Sequence, residues 1–178
     1  MSVTISGDGT ITGLDADGIS SQPVFPGQVL QVLSTIKTDT FSTNAGTFVD
    51  VTGLSLSITP SSASNKILIM FSVPASSSSS AGWFLRLLRN STEIALGDAA
   101  GSRIRTTVSS HLAPAGQSFS MAYQYLDSPA TTSAVIYKLQ LASQTGGFTA
   151  YINRSSTDTD ANDFERGTST ITVMEIAA

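Results

Sequence analysis

The chain has 178 residues, enough for one domain that buries about two-thirds of the surface its unfolded form exposes. Lys plus Arg number 9 against 13 Asp plus Glu, a net charge of -4, so there is no surplus of cations for neutralising phosphates and nucleic acid is not expected as a partner. There is no cysteine, which excludes a disulfide framework and a thiolate metal site. No run approaches the roughly 18 apolar residues of a membrane span, so no membrane insertion is expected. Charged residues make up 12%, while Ser and Thr together approach roughly three residues in ten, well above ordinary globular usage. Solubility is carried by hydroxyls.

Residues 1–27 differ from the rest of the chain. Ile5-Ser6-Gly7-Asp8-Gly9-Thr10 is loosely echoed by Ile11-Thr12-Gly13-Leu14 and Asp15-Ala16-Asp17-Gly18. Apolar residues stand singly between turn formers, so this piece cannot bury a core of its own. It is expected to be an extended anchoring arm, with Val3, Ile5, Ile11, Leu14 and Ile19 contacting a partner. Met1 to Thr12 has neither the basic region nor the apolar run of a signal peptide, and a soluble chain without an export signal is expected. Pro23, Pro26 and Gly27 mark the boundary, since proline resists both helix and central-strand continuation.

From residue 28 onward, short apolar or alternating runs succeed one another, separated by Ser, Thr, Gly, Pro and Asp. That spacing predicts an all-β fold, an antiparallel β-sandwich of jelly-roll-like kind over residues 28–178. The strands read are Gln28–Lys37, Thr47–Ile58, Lys66–Val73, Gly82–Arg89, Glu93–Leu96, Ile104–His111, Ser118–Leu126, Ala134–Ala142, Phe148–Asn153 and Ser169–Ile176. Phe119, Met121, Tyr123 and Tyr125 alternate with Ser118, Ser120, Ala122 and Gln124, which gives one aromatic face and one small or polar face. Val135, Tyr137, Leu139 and Leu141 repeat the pattern. The segment Pro74 to Ala81, with its serine run, reads as a flexible loop. Thr157 to Gly167 is another loop.

Two segments break the alternation. Ile67-Leu68-Ile69-Met70-Phe71 and Trp83-Phe84-Leu85 are apolar at consecutive positions, which places large side chains on both faces of a sheet. Something must cover the second face, either a long loop of the same chain or a neighbouring subunit. Leu68, Met70 and Phe84 are therefore the candidates for a homo-oligomer interface, each worth about 1.5–3 kcal/mol if buried by a neighbour.

No catalytic constellation overlies these strands. His111 is the single histidine and stands at a strand end without a Gly-x-Ser-x-Gly elbow. The acids Asp158, Asp160, Asp163 and Glu165 lie close together, but the loop lacks the glycine and bidentate glutamate of an EF-hand. The expectation is no catalytic residue, no cofactor and no metal, with Asp158, Asp160 and Asp163 as weak candidates for a hard cation. Arg103 and Arg105 are placed to pair with Asp98 or to meet an acidic glycan. With Trp83 and Tyr151, whose rings suit sugar stacking, they form the ligand-contact candidates. The sequons Asn90-Ser91-Thr92 and Asn153-Arg154-Ser155 need a secretory route that the sequence does not indicate.

Several stretches together carry a family pattern. Gly27-Gln28-Val29-Leu30-Gln31-Val32-Leu33, Lys37-Thr38-Asp39-Thr40-Phe41-Ser42, Phe48-Val49-Asp50-Val51-Thr52-Gly53-Leu54 and Ile58-Thr59-Pro60-Ser61 open it. Leu85-Arg86-Leu87-Leu88-Arg89, Gly97-Asp98-Ala99-Ala100-Gly101-Ser102-Arg103, Leu126-Asp127-Ser128-Pro129-Ala130, Tyr151-Ile152-Asn153-Arg154 and Ser169 to Ile176 continue it. As a set, over about residues 27 to 178, they resemble virion proteins of tailed bacteriophages, especially aquatic and cyanobacterial phages. The resemblance implies a non-enzymatic virion structural module, assembled in the host cytoplasm, that meets other virion proteins of the tail, baseplate or capsid. The leading expectation is a short tail fibre or receptor-binding module, homotrimeric, touching host-surface glycan. A capsid decoration (cement) protein is the rival, and a glycan-degrading enzyme ranks below both.

Overall fold

The computed structural model describes residues 4–5, 7, 11–12, 24–78, 80–111, 117–144 and 146–178. Every regular element among them is a β-strand: β1 Thr4–Ile5, β2 Ile11–Thr12, β3 Val29–Lys37, β4 Phe41–Thr43, β5 Val49–Ile58, β6 Lys66–Ser77, β7 Trp83–Arg89, β8 Thr92–Ile94, β9 Val108–Ser110, β10 Ser118–Asp127, β11 Val135–Ser143, β12 Ala150–Ile152 and β13 Ser169–Ile176. Among the described residues no helix is long and apolar enough to cross a membrane. Within the expected arm, β1 and β2 pair antiparallel, Thr4 opposite Thr12 and Ile5 opposite Ile11. Val3, Leu14 and Ile19 lie outside the described residues.

The remaining strands form two antiparallel sheets. One is built on β6, which pairs along its length with β10 on one side. On its other side β6 meets β13 first and β12 further along, with β3 outside β13 and β4 outside β12. The second sheet runs β5, β11, β7, with β8 and β9 sharing the far side of β7. The pairs β3 with β13, β5 with β11, β6 with β10, and β7 with β8 and β9 nest one inside the next. The chain is one long hairpin rolled into two layers, the jelly-roll path.

Alternation sets the core. Ile67, Ile69, Phe71, Val73 and Ala75 of β6 face Trp83, Leu85 and Leu87 of β7 and Val135, Tyr137, Leu139 and Leu141 of β11, all buried. The aromatic face expected for β10 points the same way, with Tyr123 5.9 Å from Phe71 between ring centroids. On β5 the period breaks, because Val51 and Leu54, three apart, both reach the core. The register to β11 shifts there, and Gly53, at φ 86, takes the left-handed conformation that a bulge of this kind requires.

The expectation of a flexible loop from Pro74 needs correction, since β6 continues through Pro74 to Ser77. The backbone C=O of Pro74 accepts from Asn153 N–H at 3.0 Å. In a strand, a residue's N–H and C=O point to the same side, so proline's missing donor faces the gap between β13, which ends opposite Ser72, and β12, which begins opposite Ala75. No ladder bond is lost there. The Asn153 carbonyl accepts instead from Gly167 N–H at 3.0 Å, and a Cβ on Gly167 would come within 2.8 Å of the Pro74 ring.

Without disulfides, buried polar groups tie the layers together. Asp127 accepts from Arg89 at 2.9 Å and from Tyr137 Oη at 2.7 Å, joining β10 to β7 and β11. Burial and this hydrogen bond push the Tyr137 phenol well above its usual range. Asn153, fully buried with φ 63, donates to the carbonyls of Lys37 and Asp39 and accepts from Ser169 Oγ at 2.6 Å. Its amide is therefore occupied, which removes it as a glycan acceptor. Glu175, 1% exposed, accepts from Gln31, from Ser61 N–H and Oγ, and from Asn65, at 2.7 to 2.8 Å.

Burial alone would raise the Glu175 pKa, but the hydrogen bonds from Asn65, Gln31 and Ser61 outweigh it and hold the group at about 2 against an ordinary 4.5. A depressed folded-state pKa contributes stability that is complete above the unfolded value and is lost as pH falls toward the folded one. Glu175→Gln should cost about 1–3 kcal/mol near neutral pH, because the new amide faces the Gln31 amide as a second donor. Denaturant unfolding across pH checks this: the gap between wild type and variant should narrow from pH 4.5 down to about 2, whereas a constant gap would contradict it.

Candidate interaction surfaces

The two outward sheet faces differ in kind. On the β5, β11, β7 face, charges are paired: Lys138 with Asp50 at 2.7 Å, and Arg86 with Glu93. Gln140 bridges Arg86 and Asp50, and the Arg86 guanidinium lies 4.0 Å from the centroid of the Phe48 ring. Hydrogen bonds from Lys138 and Gln140 keep the Asp50 carboxyl below its usual range. This face is built for water.

The outward face of β3, β13, β6 and β10 is the opposite. Register places Val32, Met174, Leu68 and Leu126 in one row across the four strands. The next row holds Ser34, Thr172, Met70 and Gln124, and the one after it Ile36, Thr170, Ser72 and Ala122. Val32, Ile36 and Leu126 are 51%, 59% and 50% exposed. Hydroxyls satisfy one another, Ser34 with Thr172 at 2.8 Å and Ser72 with Ser120 at 3.4 Å. Among these outward positions only Lys66, at a corner, is charged, and it donates to Ser128. Around Met70, Ala122 and Gln124 the surface dips into a depression of about 480 Å³.

Leu68 and Met70 thus lie on this face, half-buried. Phe84 does not join them. It is half-buried on the outward side of the other sheet, opposite Ala142 and Ser109. Sequence reading missed Val32, Met174 and Leu126 as members of the row. Their signal was present in Leu126, the one large apolar residue among the small and polar even positions of β10, but only the pairing register brings it beside Leu68.

The ligand-contact candidates separate as well. Trp83 must be withdrawn, because its ring is completely buried at the start of β7, facing the core. Consecutive apolar residues marked it as two-faced, and the core-facing phase of β7 decides which face it takes. Arg103 and Arg105 are exposed on the 95–107 segment beside the second sheet. They donate to the carbonyls of Ala100 and Gly97, so they brace their own loop. Tyr151 sits on β12 with the Arg154 guanidinium 4.5 Å from its ring centroid.

Asp158 is shared by Arg154, at 3.0 Å, and Arg166. It lines a cavity of about 310 Å³ with Asp160, Phe164 and Glu165. Asp160 and Asp163 are exposed, and among the described residues no group of three or more His, Cys, Asp or Glu side chains could hold a metal ion. His111 meets Gln144 at 3.0 Å, and Gln144 also accepts from Gly82 N–H. This is a loop brace between β7 and its neighbours.

The body also has two distinct ends. Residues 24–27 enter beside the C-terminal residues, where Gly27 N–H donates to Ala177 and Ala177 N–H to Gln28. Val24 and Phe25 there are exposed. From strand directions, residues 44–48, 78, 80–82, 144, 146–149 and the start of 153–168 gather at the opposite end, with Tyr151 and Arg154. Compared with known proteins, the chain matches no family model and no curated protein.

Because Trp83 is the single tryptophan, its fluorescence reports the core directly. The native chain should emit at shorter wavelength than the unfolded chain and resist acrylamide quenching. Quenching as efficient as that of the unfolded chain would restore Trp83 as a surface group.

Proposed function

We propose that the chain is a structural protein of a tailed-phage virion, a short tail fibre or receptor-binding module. It is held to the particle through its leader and works as a homotrimer whose far-end loops meet host-surface glycan. The observation that carries this reading is the polarity of the body. The leader enters beside Ala177, at the end that also holds the 59–65 and 128–134 connections, while the long 153–168 segment starts toward the other end around Tyr151 and Arg154. A domain fixed at one end and displaying irregular loops at the other suits attachment, because loops carry recognition on a rigid scaffold. The resemblance of residues 27–178 to phage virion proteins points the same way.

In this reading the chemistry is contact alone. Tyr151, with Arg154 against its ring, offers an aromatic surface to a sugar ring and guanidinium donors to its hydroxyls or carboxylates. Single contacts of this kind are weak. Three copies on one axis multiply them through effective concentration.

Labelling intact particles with an antibody against residues 28–178 and imaging them should place the label at the tail tip. Label over head faces would overturn the fibre reading in favour of a cement protein, and unlabelled particles would overturn both. On the fibre reading, purified chain also competes with particles for adsorption to host cells. Tyr151→Ala should weaken that competition by about tenfold, and undiminished competition would remove the glycan contact from this residue.

A further inference from the structure

We infer that the outward face of β3, β13, β6 and β10 is the contact through which copies of this chain associate, the occupant being the β10 edge and adjoining face of a neighbouring copy, in the head-to-tail arrangement that closes a ring. The inference deepens the homo-oligomer of the proposed function and rests on that part of it.

Charge is the first argument. The chain has 9 Lys plus Arg and 13 Asp plus Glu, yet the outward positions of four neighbouring strands hold only Lys66, at the corner where it is bonded to Ser128. The opposite sheet carries Asp50, Lys138, Arg86 and Glu93 on its outward side. In a contact between identical chains every charge is repeated, so a charged face meets its own sign or needs an offset partner. A neutral face brings no such conflict. A foreign partner for a chain of net -4 would be steered by charge, and this face offers none to steer with.

Extent is the second. Four strands about 4.8 Å apart and eight to twelve residues long present about 500 Å² per copy, so a contact between two copies removes about 1,000 Å² in all, which reaches the size of a specific interface. Composition suits one. Val32, Leu68, Met174 and Leu126 form an apolar row, and Met70 borders the depression beside Gln124. Hydroxyls bonded in pairs flank them and leave little polar capacity to desolvate.

The third is the edge. β10 pairs with β6 over ten residues without a register shift. Among the described residues no other strand pairs with it. Neither Pro nor Lys interrupts it, although these are the residues that ordinarily guard a free edge. Leu126 lies both on this edge and in the apolar row, so the face and the edge are one continuous surface.

Sedimentation equilibrium on the full chain tests the inference, with Gln124→Glu and Val32→Glu on the face and Ile136→Glu on the opposite sheet as control. Gln124 is exposed and the change preserves its shape, so folding is retained even where Val32→Glu fails to fold. Circular dichroism checks each variant. The wild type should sediment as an oligomer, the two face variants should associate about tenfold or more weakly, and Ile136→Glu should match the wild type. A wild type that stays monomeric, or an oligomer that survives Gln124→Glu unchanged, would overturn the inference. The second result leaves attachment through the leader standing, because particle labelling reads that separately.

Discussion

The structure depends on β6. Among the described strands it is the longest, hydrogen-bonded to β10 on one side and to β13 and then β12 on the other. Its odd residues from Ile67 to Ala75 are the floor of the core, and its even residues from Leu68 to Ser72 form the middle of the uncharged outer face. A run of consecutive apolar residues is tolerable only where both faces leave water. The core accounts for one face within a single chain, and the proposed association would account for the other.

Polar knots hold the layers where a secreted domain would use disulfides. Each knot joins segments far apart in sequence: Glu175 with Gln31 and Ser61, Asp127 with Arg89 and Tyr137, Asn153 with Lys37, Asp39 and Ser169. Groups this deeply buried are costly when unpaired, so each fixes one register and disfavours slipped alternatives. They also fix the two ends of the body. Glu175 closes the end where the leader enters, and Asn153 sets the turn from which the 154–168 segment departs.

Much of this was legible in the chain. Alternation in Phe119 to Tyr125 and Val135 to Leu141 gave the core side of β10 and β11, and the double-faced runs identified β6 and β7. What escaped was what pairing alone decides. Pro74 reads as a breaker because its missing N–H is a local fact, while its harmless position at a change of strand partner is a tertiary one. β4 is three residues long, too short for a period to register. Trp83 and Phe84 are adjacent and equally apolar, so which ring faces the core depended on a phase that sequence does not carry. Leu126 became notable only once it stood in a row with Leu68, Met174 and Val32.

The most direct measurement is amide hydrogen exchange along β6 and β10 in the native chain. If β6 is the spine, its amides exchange most slowly of all, while in dilute, dissociated protein every second amide of β10, the set facing the free edge, exchanges rapidly and becomes protected as concentration rises. A β6 that exchanges no more slowly than β10, or a β10 edge whose protection is the same at every concentration, would contradict the account.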